Sequence, residues 1–297
     1  MTAVHTARAA PLGPDDVHSL RLPWSSPFDE QSLVTHVRAH PDQSFWYPQT
    51  GEYLIGEPWR HRREITTIAD VSAREHAPLL IEALRVAPTS PPQELIVMTD
   101  FVNARPPSLY ASLGLRRIQE VICYEMRAVT ADLPRTRLTF RRASIHGPPE
   151  RDALLAVDHA SFPWLWQNTA DEFAVYERVG GVELYVGYDG AAQPIAYFGV
   201  THFRGWGHLD RIGVVPTVQG MGHGLEALRY AVHVLARAGA TRIGLSTQAD
   251  NIRSQRLYQR FGFQRTYQND YHIHGLWINP ARAASTMIDR NGEGDAR

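Results

Sequence analysis

Several absences in the sequence narrow what the protein can be. Its 297 residues include one cysteine, Cys123, which excludes an intramolecular disulfide framework and a cysteine-rich zinc site. Cys123 lies in the apolar run Val121–Tyr124, which favours a buried, unreactive thiol over a nucleophile. The sequence has no lysine, so all 30 basic side chains are arginines. This excludes the Gly-Lys-Ser/Thr motif of P-loop nucleotide-binding proteins.

The sequence also lacks a charge excess and long apolar runs. The formal net charge is −1 and the sequence pI is near 6.9, so no global field attracts nucleic acid or an anionic membrane. No apolar run reaches the ~18 residues of a membrane span, and the first residues do not resemble a signal peptide. We therefore predict a cytoplasmic protein without a nucleic-acid or membrane partner.

Apolar periodicity predicts two successive series of helices and strands. In the first half, the predicted strands are 45–47, 53–55, 64–68, 94–99 and 118–126, and the predicted helices are 74–86 and 108–113. In the second half, the predicted strands are 137–142, 183–188, 194–201, 208–215, 241–247 and 267–278, and the predicted helices are 150–159, 170–179, 225–237 and 252–260. The second order, β-α-α-β-β-β-α-β-α-β, predicts an α/β fold with an α+β mixed sheet.

Residues 127–137 have no apolar period and contain Pro134, which places the domain boundary there. The predicted organisation has four parts in chain order: a loosely ordered lead-in at 1–28, a first domain at 29–133, a second domain at 136–280 and a flexible tail at 281–297.

A glycine-rich turn between a strand and a helix is the first functional signal. It reads Ile212-Gly-Val-Val-Pro-Thr-Val-Gln-Gly-Met-Gly-His-Gly224. Glycines at 220, 222 and 224 allow backbone N–H groups to approach an anion at the N-terminus of the following helix. This favours a phosphate or pyrophosphate site, although a tight turn without a ligand remains an alternative. The G-x-G-x-G spacing differs from the G-x-G-x-x-G dinucleotide fingerprint.

A second segment follows the next strand and reads Asn251-Ile-Arg-Ser-Gln-Arg-Leu-Tyr-Gln-Arg-Phe-Gly-Phe263. Together, V-x-P-x-x-Q-x-x-G-x-G at Val214–Gly224 and N-x-x-S-x-x-x-Y-x-x-x-G-F at Asn251–Phe263 resemble the GNAT superfamily of acyl-CoA N-acyltransferases. The resemblance covers 136–280 in element order and 208–263 residue by residue.

The resemblance implies acetyl-CoA as co-substrate, no metal, and direct attack of an amine on the thioester. It implies that Val214 holds the pantetheine arm through its backbone and that a nearby N–H stabilises the oxyanion. Asn251 would bond the pantetheine and Tyr258 would protonate the leaving thiolate, although the two could instead be a helix cap and a core aromatic. The implied cofactor-binding residues are Val214, Val215, Gln219, Gly220, Met221, Gly222, His223, Gly224, Asn251, Ser254 and Tyr258.

An ammonium acceptor must lose a proton before it attacks, so a general base or a water chain is needed. Some family members carry a glutamate on the strand before the loop, and here His208 occupies that place. Asp210 lies two residues on, hence on the same strand face. Other members, including those that acetylate protein N-termini, carry Leu-Glu on the next strand. This sequence has Leu245-Ser246 there, so the glutamate base of those members is absent. We therefore expect His208 or Asp210 to be the base; a metal pair of His202 and His208 is a weaker alternative.

The acceptor pocket is expected in the first helix–helix region, where the family builds this site. Its predicted lining is aromatic, with core packing as the alternative: Phe162, Trp164, Trp166 and Trp206. No acidic cluster indicates a polycationic acceptor. We expect a primary amine of a small molecule or peptide.

The first half contains a segment similar to the second motif, with Asn, Tyr and Gly at the same spacing. It reads Asn103-Ala-Arg-Pro-Pro-Ser-Leu-Tyr-Ala-Ser-Leu-Gly114. Its loop position, 70–77, has no glycine and two acidic residues, so it is a poor pyrophosphate cradle. We predict that the first half is a degenerate GNAT-like copy, in a tandem arrangement, that does not bind acyl-CoA in the usual way.

For the whole chain, N-acetyl transfer is the first hypothesis. A non-catalytic acyl-CoA-binding or sensing protein is the second, and a nucleotide-binding protein is a weaker third.

Overall fold

The computed structural model describes residues 8–127, 129 and 134–283. The chain folds into two compact units, and the division between them does not follow chain order. The first unit contains the described part of Met1–Gln119 and of Tyr271–Arg297, and the second contains Glu120–Asp270. The predicted boundary at 127–137 and the predicted tail lie partly outside the described residues, and the predicted domain limits stay a prediction.

The first unit is a mixed sheet with helices. Its strands are β1 (Ala10–Pro11), β2 (Ser44–Tyr47), β3 (Glu52–Trp59), β4 (Arg62–Ser72) and β5 (Leu95–Phe101), followed by residues 271–277 of β12 (Gln264–Trp277). Only β4 and β5 are parallel among these neighbours. The helices are α1 (Glu30–Ala39), α2 (Ala77–Val86) and α3 (Pro107–Ser112).

Two apolar clusters form the core of this unit. One lies around Leu80, Leu84 and Ile96, and the other around Leu33 and Tyr53. Helices α1 and α2 contribute apolar side chains at helical spacing, as expected for amphipathic helices on a sheet.

The second unit has the strand order β6-β11-β10-β9-β8-β7, in which only β10 and β11 are parallel. The strands are β6 (Arg116–Arg127, from residue 120), β7 (Thr139–Ala143), β8 (Val182–Tyr188), β9 (Pro194–Phe203), β10 (Trp206–Val214) and β11 (Arg242–Gln248). The helices are α4 (Pro148–Ser161), α5 (Ala170–Glu177), α6 (His223–Arg237) and α7 (Ile252–Phe261). One apolar cluster contains residues of α6 and the other residues of α4 and α5.

The predicted mixed α/β fold is confirmed, and each predicted strand and helix overlaps an observed element. Helix α1 is missing from the predicted elements, because it buries only Leu33 and Val37 and therefore shows a weak apolar period. Its start has a local signal, because the Asp29 side chain accepts a hydrogen bond from the Ser32 N–H at 2.7 Å.

The predicted lead-in at 1–28 differs from a loosely ordered segment where it is described. Leu12 is 1% and Val17 is 2% exposed, and both belong to a core cluster. Leu12 and Val17 are isolated apolar residues among Pro, Gly and Asp, so they show no apolar period. The composition of the segment therefore gave no sign that they are buried. No helix among the described residues is long and apolar enough to cross a membrane.

Candidate functional site

The parallel strands β10 and β11 diverge toward their carboxyl ends. They pair from Trp206 with Arg242 as far as Leu209 with Leu245. Beyond that point, β10 pairs with β9 and β11 pairs with β6. Ligands of α/β proteins typically bind at the carboxyl ends of parallel strands. Both sequence motifs follow these ends directly, so the fold places them at one edge of the sheet.

The glycine-rich loop presents free backbone N–H groups at the start of α6. Gly220 and Gly222 have φ angles of +84° and +93°, a region that favours glycine, and Gly222 is the N-cap of α6. Among the described residues, nothing accepts a hydrogen bond from the N–H groups of 220–224. With the positive end of the helix dipole behind them, these groups form an anion site.

Gln219 anchors this loop through contacts that the sequence motifs do not reveal. Its side-chain Nε2 donates to the Val214 carbonyl at 2.9 Å, and its Oε1 accepts from Arg253 of α7. The Gln219 N–H donates to the Pro216 carbonyl at 3.2 Å and is therefore already engaged. Gln219 thus ties the strand end to the next helix, and its place among the cofactor-binding residues stays a prediction.

A buried carboxylate braces the loop from the other side. The Glu226 carboxylate accepts hydrogen bonds from Nε of Arg137 at 2.6 Å and from the N–H groups of Arg137 and Leu138. The Arg137 guanidinium also donates to the Met221 carbonyl at 2.6 Å. Burial raises the pKa of Glu226, but these hydrogen bonds outweigh it and leave the pKa below the ordinary value of 4.5.

This network predicts a pH-dependent contribution to stability. Because the folded-state pKa of Glu226 is lowered, its contribution is present above pH 4.5 and is lost as pH falls through the folded-state value. Glu226→Gln should lower the free energy of unfolding by about 1.5–3 kcal/mol at pH 7. The deficit should shrink in urea titrations repeated toward pH 3. Glu30→Gln, at an exposed first-turn position of α1, is the control and should change stability little at any pH. If Glu226→Gln lowered the free energy of unfolding as much near pH 3 as at pH 7, the stabilising role of the Glu226 carboxylate would be wrong.

Helix α7 carries the second motif. Asn251 is its N-cap, and the side-chain Oδ1 accepts from the Ser254 N–H at 3.1 Å. Tyr258 is 4% exposed, and its ring centroid lies 6.1 Å from that of Tyr124. Burial raises the pKa of Tyr258 to about 12, opposed by a hydrogen bond with the Ser254 side chain. The phenol is therefore protonated at neutral pH and can act as an acid.

His208 and Asp210 form a hydrogen-bonded pair on β10. His208 Nδ1 lies 2.7 Å from Asp210 Oδ1, which confirms that the two side chains share a face. The other Asp210 oxygen accepts from the Thr201 hydroxyl at 2.8 Å and from the Tyr176 hydroxyl. A carboxylate only accepts, so Nδ1 of His208 carries the proton and Nε2 offers a lone pair. This is the arrangement of an oriented general base.

Two further residues of this pair's surroundings, Tyr176 and Thr201, were not predicted because they come from α5 and β9. A bulge in β10 was not predicted either; there the register against β9 shifts between Leu209 and Arg211. Asp210 contacts Tyr176 of α5, and Arg211 contacts Asp158 of α4. A bulge of this kind re-aims consecutive side chains toward one face.

Among the described residues, no cluster of three or more possible metal ligands includes His202 or His208.

The Arg211 side chain organises the region of the predicted aromatic pocket. It is 9% exposed and donates to Asp158 Oδ1 at 2.7 Å, to the Tyr197 hydroxyl at 2.7 Å and to the Trp166 carbonyl at 2.8 Å. Its guanidinium carbon also lies 4.0 Å from the Phe162 ring centroid. Asp158, which is fully buried, also accepts from the Tyr197 hydroxyl and from a backbone N–H.

The four predicted pocket aromatics differ in burial. Trp166 is 7% exposed and packs in the protein interior, whereas Phe162 and Trp164 are half-buried. Trp206 is 40% exposed, and its ring centroid lies 5.4 Å from that of His208. The structure thus brings Trp206 to the His208–Asp210 pair.

The first unit also has a parallel strand pair, but its loop amides are already engaged. The Glu52 carboxylate accepts from the Arg74 N–H at 3.0 Å and from the His76 N–H at 2.9 Å, directly before α2. These and further hydrogen bonds outweigh the effect of burial, so the pKa of Glu52 lies below its ordinary value. An internal carboxylate thus takes up the N–H groups that an external anion would need.

Arg105 spans the corresponding strand divergence in the first unit. β4 and β5 pair only from Ile65 with Leu95 to Thr67 with Val97. Beyond this, Arg105 donates to the Val71 carbonyl at 3.3 Å and lies 3.2 Å from a carboxylate oxygen of Asp100. A guanidinium therefore bridges the carboxyl ends of these strands.

Comparison with known proteins gives a family match within the second half of the chain and several curated relatives. Residues 138–263 match the model of the Acetyltransferase (GNAT) family. A mycothiol acetyltransferase from Mycobacteroides abscessus is 30% identical over an alignment of 171 residues, which covers 52% of this chain and 56% of that protein. The chain thus spans about half the length of the curated relatives that it matches.

Solved structures resemble most of the chain. A GCN5-related N-acetyltransferase from Sphaerobacter thermophilus has a TM-score of 0.55 at 16% identity and covers 91% of this chain and 95% of its own. A tandem GNAT protein from the clavulanic acid biosynthesis pathway has a TM-score of 0.52 at 13% identity and covers 91% and 98%. Identities this low establish a shared fold only. Residues 138–263 therefore resemble the GNAT acetyltransferase family, and the chain shares the fold of GCN5-related N-acetyltransferases.

Proposed function

We propose that the protein is an acetyl-CoA-dependent N-acetyltransferase whose catalytic domain is the second half of the chain, 136–280. The observation that carries the proposal is the row of unengaged N–H groups at 220–224, placed at the end of the strand that bears the His208–Asp210 pair. An anion cradle and an oriented base at one sheet edge are the two elements that amine acetylation from a pyrophosphate-containing donor needs.

The proposed reaction is direct attack. Nε2 of His208 accepts a proton from the ammonium group, and the amine nitrogen then attacks the thioester carbonyl. The C–S bond breaks, the sulfur takes the Tyr258 proton, and the new amide nitrogen loses its remaining extra proton to solvent. His208 then releases its proton and Tyr258 regains one through solvent, so the net products are the amide, the CoA thiol and one proton. Alignment of amine and thioester supplies much of the rate through effective molarity.

We propose a primary amine of a small molecule or peptide as acceptor. Trp206 beside His208 supports an acceptor with an apolar portion next to the amine, because its exposed ring offers an apolar contact there. The name of the curated relatives makes mycothiol-type compounds the first acceptors to test.

We further propose that the first half is a degenerate copy of the same fold. Two features support it: a parallel strand pair joined through a helix, and α3 followed by Gly114 at φ +67°, as α7 is followed by Gly262 at φ +112°. Glu52 at the loop amides and Arg105 across the strand ends support the absence of acyl-CoA binding in this half.

Thermal unfolding with acetyl-CoA tests the cofactor site. At ~100 times its dissociation constant, acetyl-CoA should stabilise the protein by about 2.7 kcal/mol, a rise of several degrees in Tm. Gly222→Glu should abolish this rise, because its carboxylate would repel the anion beside the N–H groups and its Cβ would meet Arg137 Nη2 at 3.2 Å. ATP and NAD should cause no rise.

Gly239→Glu is the matched control for Gly222→Glu. Gly239 also has a positive φ, +95°, but it lies after the C-terminus of α6. Both substitutions strain the backbone similarly, so both lower the Tm without ligand. Only Gly239→Glu should retain the acetyl-CoA shift. If acetyl-CoA raised the Tm of both variants equally, the glycine-rich loop would not be part of the acetyl-CoA site.

Tyr258→Phe separates the enzyme from an acyl-CoA sensor. Because the Tyr258 phenol is protonated at neutral pH, it can donate to the leaving thiolate, and its loss should lower kcat about 100-fold. The acetyl-CoA shift in Tm should remain. Tyr124→Phe, which removes the neighbouring hydroxyl, should retain kcat within a few-fold. If Tyr258→Phe turns over normally, the proposed acid is wrong. If no amine is acetylated although acetyl-CoA binds, the sensing alternative gains support.

A further inference from the structure

A cluster of two histidines and one glutamate lies in the first unit, which contains none of the residues of the proposed reaction. His36 and His40 come from the last turn and the C-cap of α1, and Glu57 comes from β3. One potential ligand atom of each lies within 4.8 Å of the others, and all three residues are half-buried. Histidines at i and i+4 of a helix lie on one face, so both imidazoles can reach a common point.

The hydrogen bonding of His36 leaves a nitrogen lone pair directed at the cluster. His36 Nε2 lies 3.0 Å from the Gly56 carbonyl oxygen, which only accepts, so Nε2 carries the proton. Nδ1 then has the lone pair and lies 3.7 Å from Glu57 Oε2. A backbone carbonyl on the distal N–H is the usual outer-shell partner of a metal-bound histidine, and it fixes tautomer and ring orientation.

The ligand spacing and the helix dipole both suit a dication. Tetrahedral ligands of Zn²⁺ lie about 3.4 Å apart, close to the separation of His36 Nδ1 and Glu57 Oε2. The partial negative charge at the C-terminus of α1 also favours a cation beside His40. Arg63 is the charged group nearby that opposes a cation, and His61 is a further neighbour.

We propose that His36, His40 and Glu57 bind a divalent transition-metal ion of the zinc type, with solvent completing the coordination. Two imidazoles and one carboxylate match the preferences of Zn²⁺. The ion would link the C-terminal end of α1 to β3. Its role would be structural, because a bound ion stabilises the folded state by its binding free energy.

The test is calorimetric titration of the tag-free full chain with ZnCl₂, with Co²⁺ absorption as a geometric readout. Wild type should bind one ion at this site, show the visible bands of a low-symmetry Co²⁺ site, and gain several degrees in Tm with Zn²⁺. His40→Gln and Glu57→Gln should each weaken binding at least ~100-fold, more than the loss of an outer-shell partner. Arg63→Gln should strengthen it.

His18→Gln is the control, since His18 is an exposed histidine in the same unit. It should bind Zn²⁺ as wild type does. All variants should unfold cooperatively without metal, which separates ligand loss from misfolding. No binding by wild type would overturn the proposal. So would binding by His40→Gln and Glu57→Gln at wild-type affinity, since the ion would then sit on other histidines.

Discussion

Replacing His208 with alanine is expected to lower kcat of acetyl transfer about 10²- to 10⁴-fold, the usual contribution of a general base. The acceptor amine is protonated at neutral pH, and without His208 its proton must pass to bulk water. The affinity for acetyl-CoA, followed by thermal shift, should not change, because the cradle at 220–224 is intact. Steady-state kinetics over a pH series with one acceptor is the measurement.

Asp210→Asn should also lower kcat, because an amide can donate to Nδ1 and select the wrong tautomer of His208. His202→Ala is the control: it removes a histidine from the neighbouring strand β9 that lies outside the pair. It should retain kcat within a few-fold. If His208→Ala kept wild-type kcat and an unchanged pH profile, the pair would be structural and the base would lie elsewhere.

Asp158→Asn is expected to destabilise the second unit by about 3–5 kcal/mol, because it leaves the buried Arg211 guanidinium without its counter-charge. Asp158 is 0% exposed, and its two oxygens serve Arg211, Tyr197 and the N–H of Asn168. A loss of this size is a large share of the ~5–15 kcal/mol that stabilises a typical domain. Urea unfolding followed by fluorescence measures it.

Asp152→Asn is the matched control for Asp158→Asn. Asp152 lies on the same helix and pairs with Arg151 at 3.1 Å, but its side chain is 70% exposed. Exposed pairs contribute little, so the loss should stay below about 1 kcal/mol. The double variant Asp158→Asn, Arg211→Met should recover part of the stability, since it removes the unpaired charge. Equal losses for the two aspartates would show that the buried network is not the source.

The pair and the network are coupled through the bulge in β10. Asp210 contacts the catalytic candidate His208, and the next residue, Arg211, contacts α4. We therefore expect Asp158 variants that remain folded to lower kcat as well, because the anchoring of Arg211 holds the bulge that aims Asp210.

The two motifs were readable from the sequence because each is local. A strand end, three glycines and a helix start lie within Ile212–Gly224, and their geometry depends on neighbours in the chain. The same holds for the helix cap at Asn251 and the i, i+4 relation of Ser254 and Tyr258. The His208–Asp210 contact follows from the two-residue period of a strand. These relations needed only local chain geometry.

By itself, then, the sequence determined the element order, the mixed α/β fold, the glycine-rich loop and the alternation that pairs His208 with Asp210. The tertiary structure decided which distant groups complete them: Tyr176 and Thr201 on Asp210, Arg253 on Gln219, Arg137 on Glu226, and Glu52 on the loop amides of the first unit. Each of these depends on groups from separate segments of the chain that meet only once the chain has folded. No periodic or local signal encodes such meetings, because burial selects the partners only after the chain has folded.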